Sequence, residues 1–286
     1  MCRKMLIKIA NKLILPKYPV RFALLSFIAI LAGSIYFEKF KAPQTYFSDV
    51  RNPFNLFLMK PSLFITISMV FPFIFITHFP LNNGAVRPTM LPIYRLVFAF
   101  LLYFCILMVC RLIGDKYAIG SFTLECDING TKCWEELERW FPITISGHIF
   151  TMLCCALMIA EETLIFGQWK KIEDTIMATE ESECCAVDTL EQSKLISRQL
   201  FLKYSPCVKT VYLILAFWAL FLCFSIFITV AYFHQPYEKI GGAVLAIAHW
   251  QLTYRFVCFS QYIADEVKKF EHKNVGRYRT VDFDFS

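Results

Sequence analysis

Ile145-Ser-Gly-His-Ile-Phe-Thr-Met-Leu-Cys-Cys-Ala-Leu-Met-Ile-Ala-Glu-Glu162 is the stretch on which the fold turns. From Ile149 to Ala160 it carries no charge, and Thr151 has its only hydroxyl. A helix that is apolar all round belongs inside a large core or a bilayer, not at a water interface. A histidine behind Ser146-Gly147 stands at the entrance of this run, and two glutamates close it.

The rest of the chain decides between core and bilayer. Of its 286 residues 57% are hydrophobic and 30 are Phe, more apolar surface than a soluble domain of this length could hide. Six segments come close to the roughly 20 apolar residues that cross a bilayer: about 22–37, 61–78, 94–113, 145–165, 208–232 and 240–262. The first is short and the last contains Arg255. The expected fold is therefore all-α, a polytopic membrane protein with six transmembrane helices in one domain over residues 1–286.

Basic residues orient it. Residues 1–21 hold Arg3, Lys4, Lys8, Lys12, Lys17 and Arg21 without an acid, and the tail at 264–286 holds Lys268, Lys269, Lys273, Arg277 and Arg279. Both ends are expected in the cytosol, which agrees with an even number of spans. Lys4, Lys8 and Lys12, four apart, fit a short helix lying on the cytosolic leaflet, and an ordinary basic anchor fits equally well. A cleaved leader ending near Ala32-Gly33-Ser34 is the competing reading of the first residues. The loop at 114–142 is acidic through Asp115, Glu125, Asp127, Glu135, Glu136 and Glu138, and is expected to be lumenal. It contains the sequon Asn129-Gly130-Thr131 between Cys126 and Cys133, two cysteines spaced to close a small ring in an oxidising compartment. Residues 166–206 form a long cytosolic loop, expected to be partly helical. Glu161 and Glu162 read as charges at the cytosolic end of a span.

Span parity brings His148 and His234 to one side of the membrane, with a span down, a loop and a span back between them. Histidine at a membrane boundary is costly unless it is paired or wet, which makes both candidates for function. A neutral imidazole bonded to a helix end is the plainer alternative. Gly147 leaves room for close approach of a substrate, and Ser146 can donate a hydrogen bond. Two imidazoles on one face can divide nucleophilic and general-acid work on a phosphate. The segment between the first two spans supplies Lys41, Arg51 and Lys60 on the same face, with Asn52 and Asn55 beside Arg51. Its cations can neutralise phosphoryl oxygens, although snorkelling to the interface accounts for them as well. His249 fits packing, and His78 and His272 carry no signal of chemistry. With five His in all, no two within five residues, the ligand spacings of di-iron oxygenases are absent, and so are zinc spacings and a glycine-rich nucleotide loop. No metal, cofactor or nucleic-acid partner is expected.

Four blocks resemble the fat-storage-inducing transmembrane family: Tyr46-Phe-Ser-x-x-Arg51-Asn52-x-x-Asn55, the Ser-Gly-His148 stretch with its Ala-Leu-Met-Ile-Ala-Glu-Glu162 tail, Val230-Ala-Tyr-Phe-His234, and Gly242-Ala-Val-Leu-Ala-Ile-Ala-His-Trp250 with Thr253-Tyr254. The blocks span about residues 20–258. The resemblance implies an endoplasmic-reticulum protein with six spans and both ends cytosolic, and a lumen-facing site that hydrolyses the diphosphate of fatty acyl-CoA. The implied products are acyl 4′-phosphopantetheine and adenosine 3′,5′-bisphosphate, with a role in lipid-droplet formation. The functional histidines it implies are His148 and His234, with Arg51, Asn52, Lys60, Ser146 and Gly147 as candidates to bind substrate. The implied partners are fatty acyl-CoA, diacylglycerol or triacylglycerol, and membrane lipid. The alternative is a non-catalytic scaffold that partitions diacylglycerol and triacylglycerol to promote droplet budding.

The family is distantly similar to type-2 phosphatidic acid phosphatases. In those enzymes Pro precedes Ser-Gly-His, where Ile145 stands here, and Arg lies six residues before the second His, where Ile228 stands. Their Asp four residues after it is Glu238, which could still orient an imidazole.

Overall fold

The computed structural model describes residues 18–49, 51–81, 86–119, 145–167, 169, 171–173 and 189–256, with Leu6, Ile7 and Ala10 nearer the N-terminus. Asn129, Cys126, Cys133 and the basic tail lie outside the described residues, as does most of the basic leader. Everything regular among the described residues is helix. We number the long helices α1 (Pro19–Lys39), α2 (Ser62–Leu81), α3 (Val86–Ile119), α4 (Gly147–Glu162), α5 (Thr189–Tyr232) and α6 (Pro236–Gln251). A 3₁₀ turn (Tyr46–Ser48) and a π-helical turn (Asn55–Met59) lie between α1 and α2, and a second π turn (Leu252–Phe256) continues α6.

Among the described residues five stretches are long and apolar enough to cross a membrane: Pro19–Lys39, Ser62–Leu81, Thr89–Ile113, Gly147–Glu173 and Gln199–Tyr232. The chain is a multi-pass membrane protein. The sixth expected span, 240–262, differs. Regular helix there starts at Pro236 and gives way to the π turn after Gln251, which leaves 16 residues. Helix reaches past the expected span boundaries: α3 runs on to Ile119, and within 166–206, expected to be partly helical, α5 begins at Thr189. At 1.5 Å per residue, α5 is about 66 Å long, roughly twice the hydrocarbon thickness of a bilayer.

α4 is the centre of the bundle. Every residue from Ile149 to Ala160 is buried, packed by α1, α2, α5 and α6, which is what an uncharged, small-residue surface allows. α1, α3 and α5 turn Leu25, Ile28, Val97, Leu101, Met108, Phe217 and Phe227 outward, the apolar exterior that lipid requires. Several threonine hydroxyls inside the bundle are satisfied within their own helices. Those of Thr66, Thr77 and Thr229 donate to carbonyls four residues back, and Trp218 Nε1 donates to Thr66 Oγ1 at 2.8 Å, joining α5 to α2.

Glu161 and Glu162 turn inward and do not end the span as bare charges. Glu162 pairs with buried Arg95 of α3 at 2.6 Å and accepts from Tyr254 Oη at 2.9 Å. Glu161 pairs with Arg255 at 3.0 Å and accepts from Trp250 Nε1 at 3.1 Å. Arginines arriving from two other elements make this burial affordable. Arg255, awkward in a lipid-facing helix, has its partner here.

Candidate active site

At the opposite end of α4 four elements converge: the start of α4, the turn from α5 to α6, the first turn of α6, and the π turn before α2. Ser146 caps α4, its hydroxyl accepting from the Ile149 N–H at 3.4 Å. Gly147 and His148 follow as the first helical residues, whose N–H groups have no intrahelical acceptor. The Ser146 N–H donates to the Glu238 carbonyl at 3.0 Å, tying α4 to α6. Close packing allows this. A Cβ on Gly242 would lie 2.7 Å from the Ser146 carbonyl oxygen and 3.3 Å from the Phe150 nitrogen, so only glycine lets the two backbones approach. A Cβ on Gly147 would meet nothing within 4 Å. The space beside His148 is open.

The rings of His148 and His234 are 6.0 Å apart between centroids and tilted by 44°. Each is held by a different partner. His234 Nδ1 lies 3.1 Å from Glu238 Oε2, and the same oxygen accepts the Gln235 N–H at 3.1 Å. With Nδ1–H donated to the carboxylate, Nε2 of His234 keeps its lone pair, and a third of the side chain is accessible. His234 has φ 64°, where glycine would ordinarily stand after a helix end. Backbone strain at a candidate reactive residue is the pattern expected where geometry serves function.

His148 Nε2 lies 3.1 Å from Asn55 Oδ1. Asn55 is buried, its N–H donates to Asn52 Oδ1 at 2.6 Å, and Asn52 Nδ2 donates to the Tyr46 carbonyl at 3.2 Å. The Lys60 N–H donates to the Asn55 carbonyl at 3.1 Å, closing the π turn. Five residues of α-helix would leave Asn55 and Lys60 about 140° apart in azimuth. The i→i+5 bond lays one over the other. The Lys60 ammonium is accordingly close enough to His148 for their charges to interact.

The other sequence candidates fall differently. The Arg51 backbone N–H donates to Asp49 Oδ1 at 2.8 Å; its residue is exposed, and no bond from its guanidinium is found among the described residues. Asn52 spends both ends of its amide on backbone. Ser146 is fully buried as a cap. His249 Nε2 donates to the Ala99 carbonyl, 2.9 Å away, within the core. No group of three His, Cys, Asp or Glu side chains that could hold a metal is found among the described residues.

A model of the family described as fat storage-inducing transmembrane protein matches residues 121–254, which include both histidines and Glu238. Over that stretch the chain is similar to this family. Its curated relatives include the acyl-coenzyme A diphosphatase FITM2 of Drosophila melanogaster, 26% identical over 225 residues, or 75% of this chain and 52% of that protein. The human protein of the same name is 27% identical over 241 residues, covering 80% of this chain and 79% of its own. That of Caenorhabditis elegans is 25% identical over 260 residues, 88% of this chain and 82% of its own. This chain thus spans about half the length of the fly protein. No solved structure matches it.

Two features of this site escape a reading of the sequence. Gly242 sits in a quoted block, but its contact with the Ser146 carbonyl follows only from packing. The Gly241-Gly242-Ala243 run on an apolar helix is the signal that could have flagged it. Lys239 is the other. It is buried at 4% exposure, and its Nζ donates to the Val230 carbonyl at 2.7 Å, capping the last turn of α5 just before His234.

Proposed function

We propose that this chain hydrolyses the diphosphate of fatty acyl-CoA, releasing acyl 4′-phosphopantetheine and adenosine 3′,5′-bisphosphate. It would do so at the lumenal end of a six-span bundle in the endoplasmic-reticulum membrane. One observation carries the reading: two imidazoles 6.0 Å apart, each oriented by its own partner, at the start of a helix. His234 Nε2 attacks phosphorus, forming an N–P bond as the P–O bond to the leaving phosphate breaks. His148 gives that oxygen its proton, and water then hydrolyses the phosphohistidine. Glu238 steadies the charge that grows on His234. Lys60 and the first N–H groups of α4 face the phosphoryl oxygens, as helix N-termini do for anions. Lys60, whose charge reaches His148, suits this role better than Arg51, and Asn52 and Ser146 hold the frame. The relatives' name supports the substrate.

The sixth span is α6 with its π turn, 236–256 together. Even span number puts both termini in the cytosol and Asn129 in the lumen; a terminal tag protected from protease in sealed microsomes would overturn that orientation. Activity is tested with purified protein in detergent, oleoyl-CoA as substrate and chromatographic detection of adenosine 3′,5′-bisphosphate. Intact, folded protein that releases none would leave the scaffold for diacylglycerol and triacylglycerol.

Gly147→Ala separates space for substrate from space for packing. The added methyl meets no protein atom, and alanine favours helix by up to about 1 kcal/mol. The variant is expected to melt no lower than wild type yet to lose about tenfold in kcat/KM, about 1.4 kcal/mol of transition-state binding. Arg51→Lys, measured beside it, should stay within about threefold of wild type. Unchanged kcat/KM in Gly147→Ala would move the phosphate away from α4.

A further inference from the structure

We propose that Asn55 is a positioning residue that anchors Nε2 of His148 and so presents Nδ1 as the nitrogen that delivers the proton. The inference rests on His148 being the general acid of the reaction above.

The chemistry of the partners supports it. An amide oxygen only accepts, so Oδ1 of Asn55 at 3.1 Å holds a hydrogen on Nε2. His234 is anchored at the other nitrogen, Nδ1, and by a carboxylate. The nitrogens left for chemistry are therefore opposite ones, Nε2 of His234 and Nδ1 of His148. The partners also differ in charge as the roles require. A carboxylate stabilises the cationic form and suits a nucleophile that gathers positive charge. A neutral amide orients an imidazolium without making it reluctant to give up its proton.

Asn55 can impose this because its backbone is held on both sides and its side chain is buried. The Asn55 backbone N–H can only donate, so the acceptor facing it is Oδ1 of Asn52. The Tyr46 carbonyl can only accept, which places Nδ2 of Asn52 there. Both amides are buried, at 2% and 4% exposure, and the π turn holds the Asn55 carbonyl. The charged or titratable groups facing His148 are His234 from the α5–α6 turn and Lys60 from the π turn.

A double-mutant cycle on the full-length protein in detergent tests the proposal. Asn55→Leu should lower kcat for oleoyl-CoA by about tenfold, less than the hundredfold or more at stake in losing the acid itself, with KM within about threefold. In a His148→Ala background it should cost nothing further, because an anchor for an absent ring has no effect. Asn55→Asp, which replaces the amide by a carboxylate, should move the alkaline limb of the kcat profile to higher pH. Additive losses, or wild-type kcat in Asn55→Leu, would overturn the assignment. Nitrogen-15 chemical shifts of labelled histidine give an arm independent of turnover. His148 in wild type should be the Nε2–H tautomer when neutral, and Asn55→Leu should mix the two tautomers. Wild type lacking turnover but showing this pattern would sink the hydrolase reading and keep the Asn55 anchor; a mixed tautomer in wild type would sink the anchor whatever the activity.

Discussion

His234→Asn is expected to fold as wild type does and to release nucleotide from oleoyl-CoA at least about a hundredfold more slowly. The first half follows from the backbone. His234 sits at φ 64°, a region that costs most L-residues on the order of 1 kcal/mol and that asparagine tolerates well. What the substitution removes is a partly exposed hydrogen bond to Glu238, worth about 1 kcal/mol. The two roughly cancel, so the melting temperature should hardly move. The second half follows from the nucleophile, for which an amide is no substitute. A residue whose purpose was structural would show the reverse, lost stability with retained turnover. Turnover within a few-fold of wild type would remove His234 from the chemistry.

Gly242→Ala should do the opposite and damage the frame before the chemistry. Its methyl would collide with the Ser146 carbonyl oxygen at 2.7 Å, crowd the Phe150 nitrogen at 3.3 Å and touch Ile149 Cβ at 3.4 Å. Two of these are backbone atoms that cannot rotate away, so α6 and the start of α4 must separate. Overpacking of this kind costs about 1–3 kcal/mol. The separation would also weaken the Ser146–Glu238 bond that sets His148 against His234. Gly241→Ala is the matched control. Its methyl would find only Ile145 Cγ1, at an ordinary 3.8 Å, and should keep stability and activity. Melting in detergent and nucleotide release, measured on both, decide the matter. Equal stability of the two variants would mean that the close approach is not needed.

Hydropathy alone locates five spans, because lipid leaves no other place for so many uncharged residues in a row. Its boundaries slip where a helix outruns the bilayer. α5 crosses Pro206 and begins at Thr189, well before the apolar stretch that marks its span. Hydropathy cannot tell which span is central, since α4 is no more apolar than the helices that face lipid. That distinction rests on the small and medium side chains from Met152 to Ala160, which let neighbours close in. Parity puts His148 and His234 at one end, and the Glu238 position, four residues beyond His234, makes it a natural partner for that ring. Asn55 is harder to read. It sits among plausible phosphate donors, and only the π turn, for which residues 55–59 show no pattern, aims it and Lys60 at His148. Glu161 and Glu162 look like water-facing ends because their partners, Arg95, Tyr254 and Arg255, come from distant parts of the chain.

Those glutamates bear on how the molecule could move. α4 is riveted to the α6 limb at both ends, by Ser146 against Glu238 and Gly242 at one and by Glu161 and Glu162 against Trp250, Tyr254 and Arg255 at the other. A beam pinned twice to the same neighbour cannot slide or pivot against it. His148 and Glu238 ride on this beam pair, so breathing of the bundle leaves their spacing alone. The strap between α1 and α2, which carries Asn55 and Lys60, meets α4 through the Asn55–His148 bond and packs Phe47 and Phe54 against Phe221 and Phe224 of α5. A lipid-linked headgroup therefore meets, in His148 and the Glu238-held His234, an anvil whose footing does not shift.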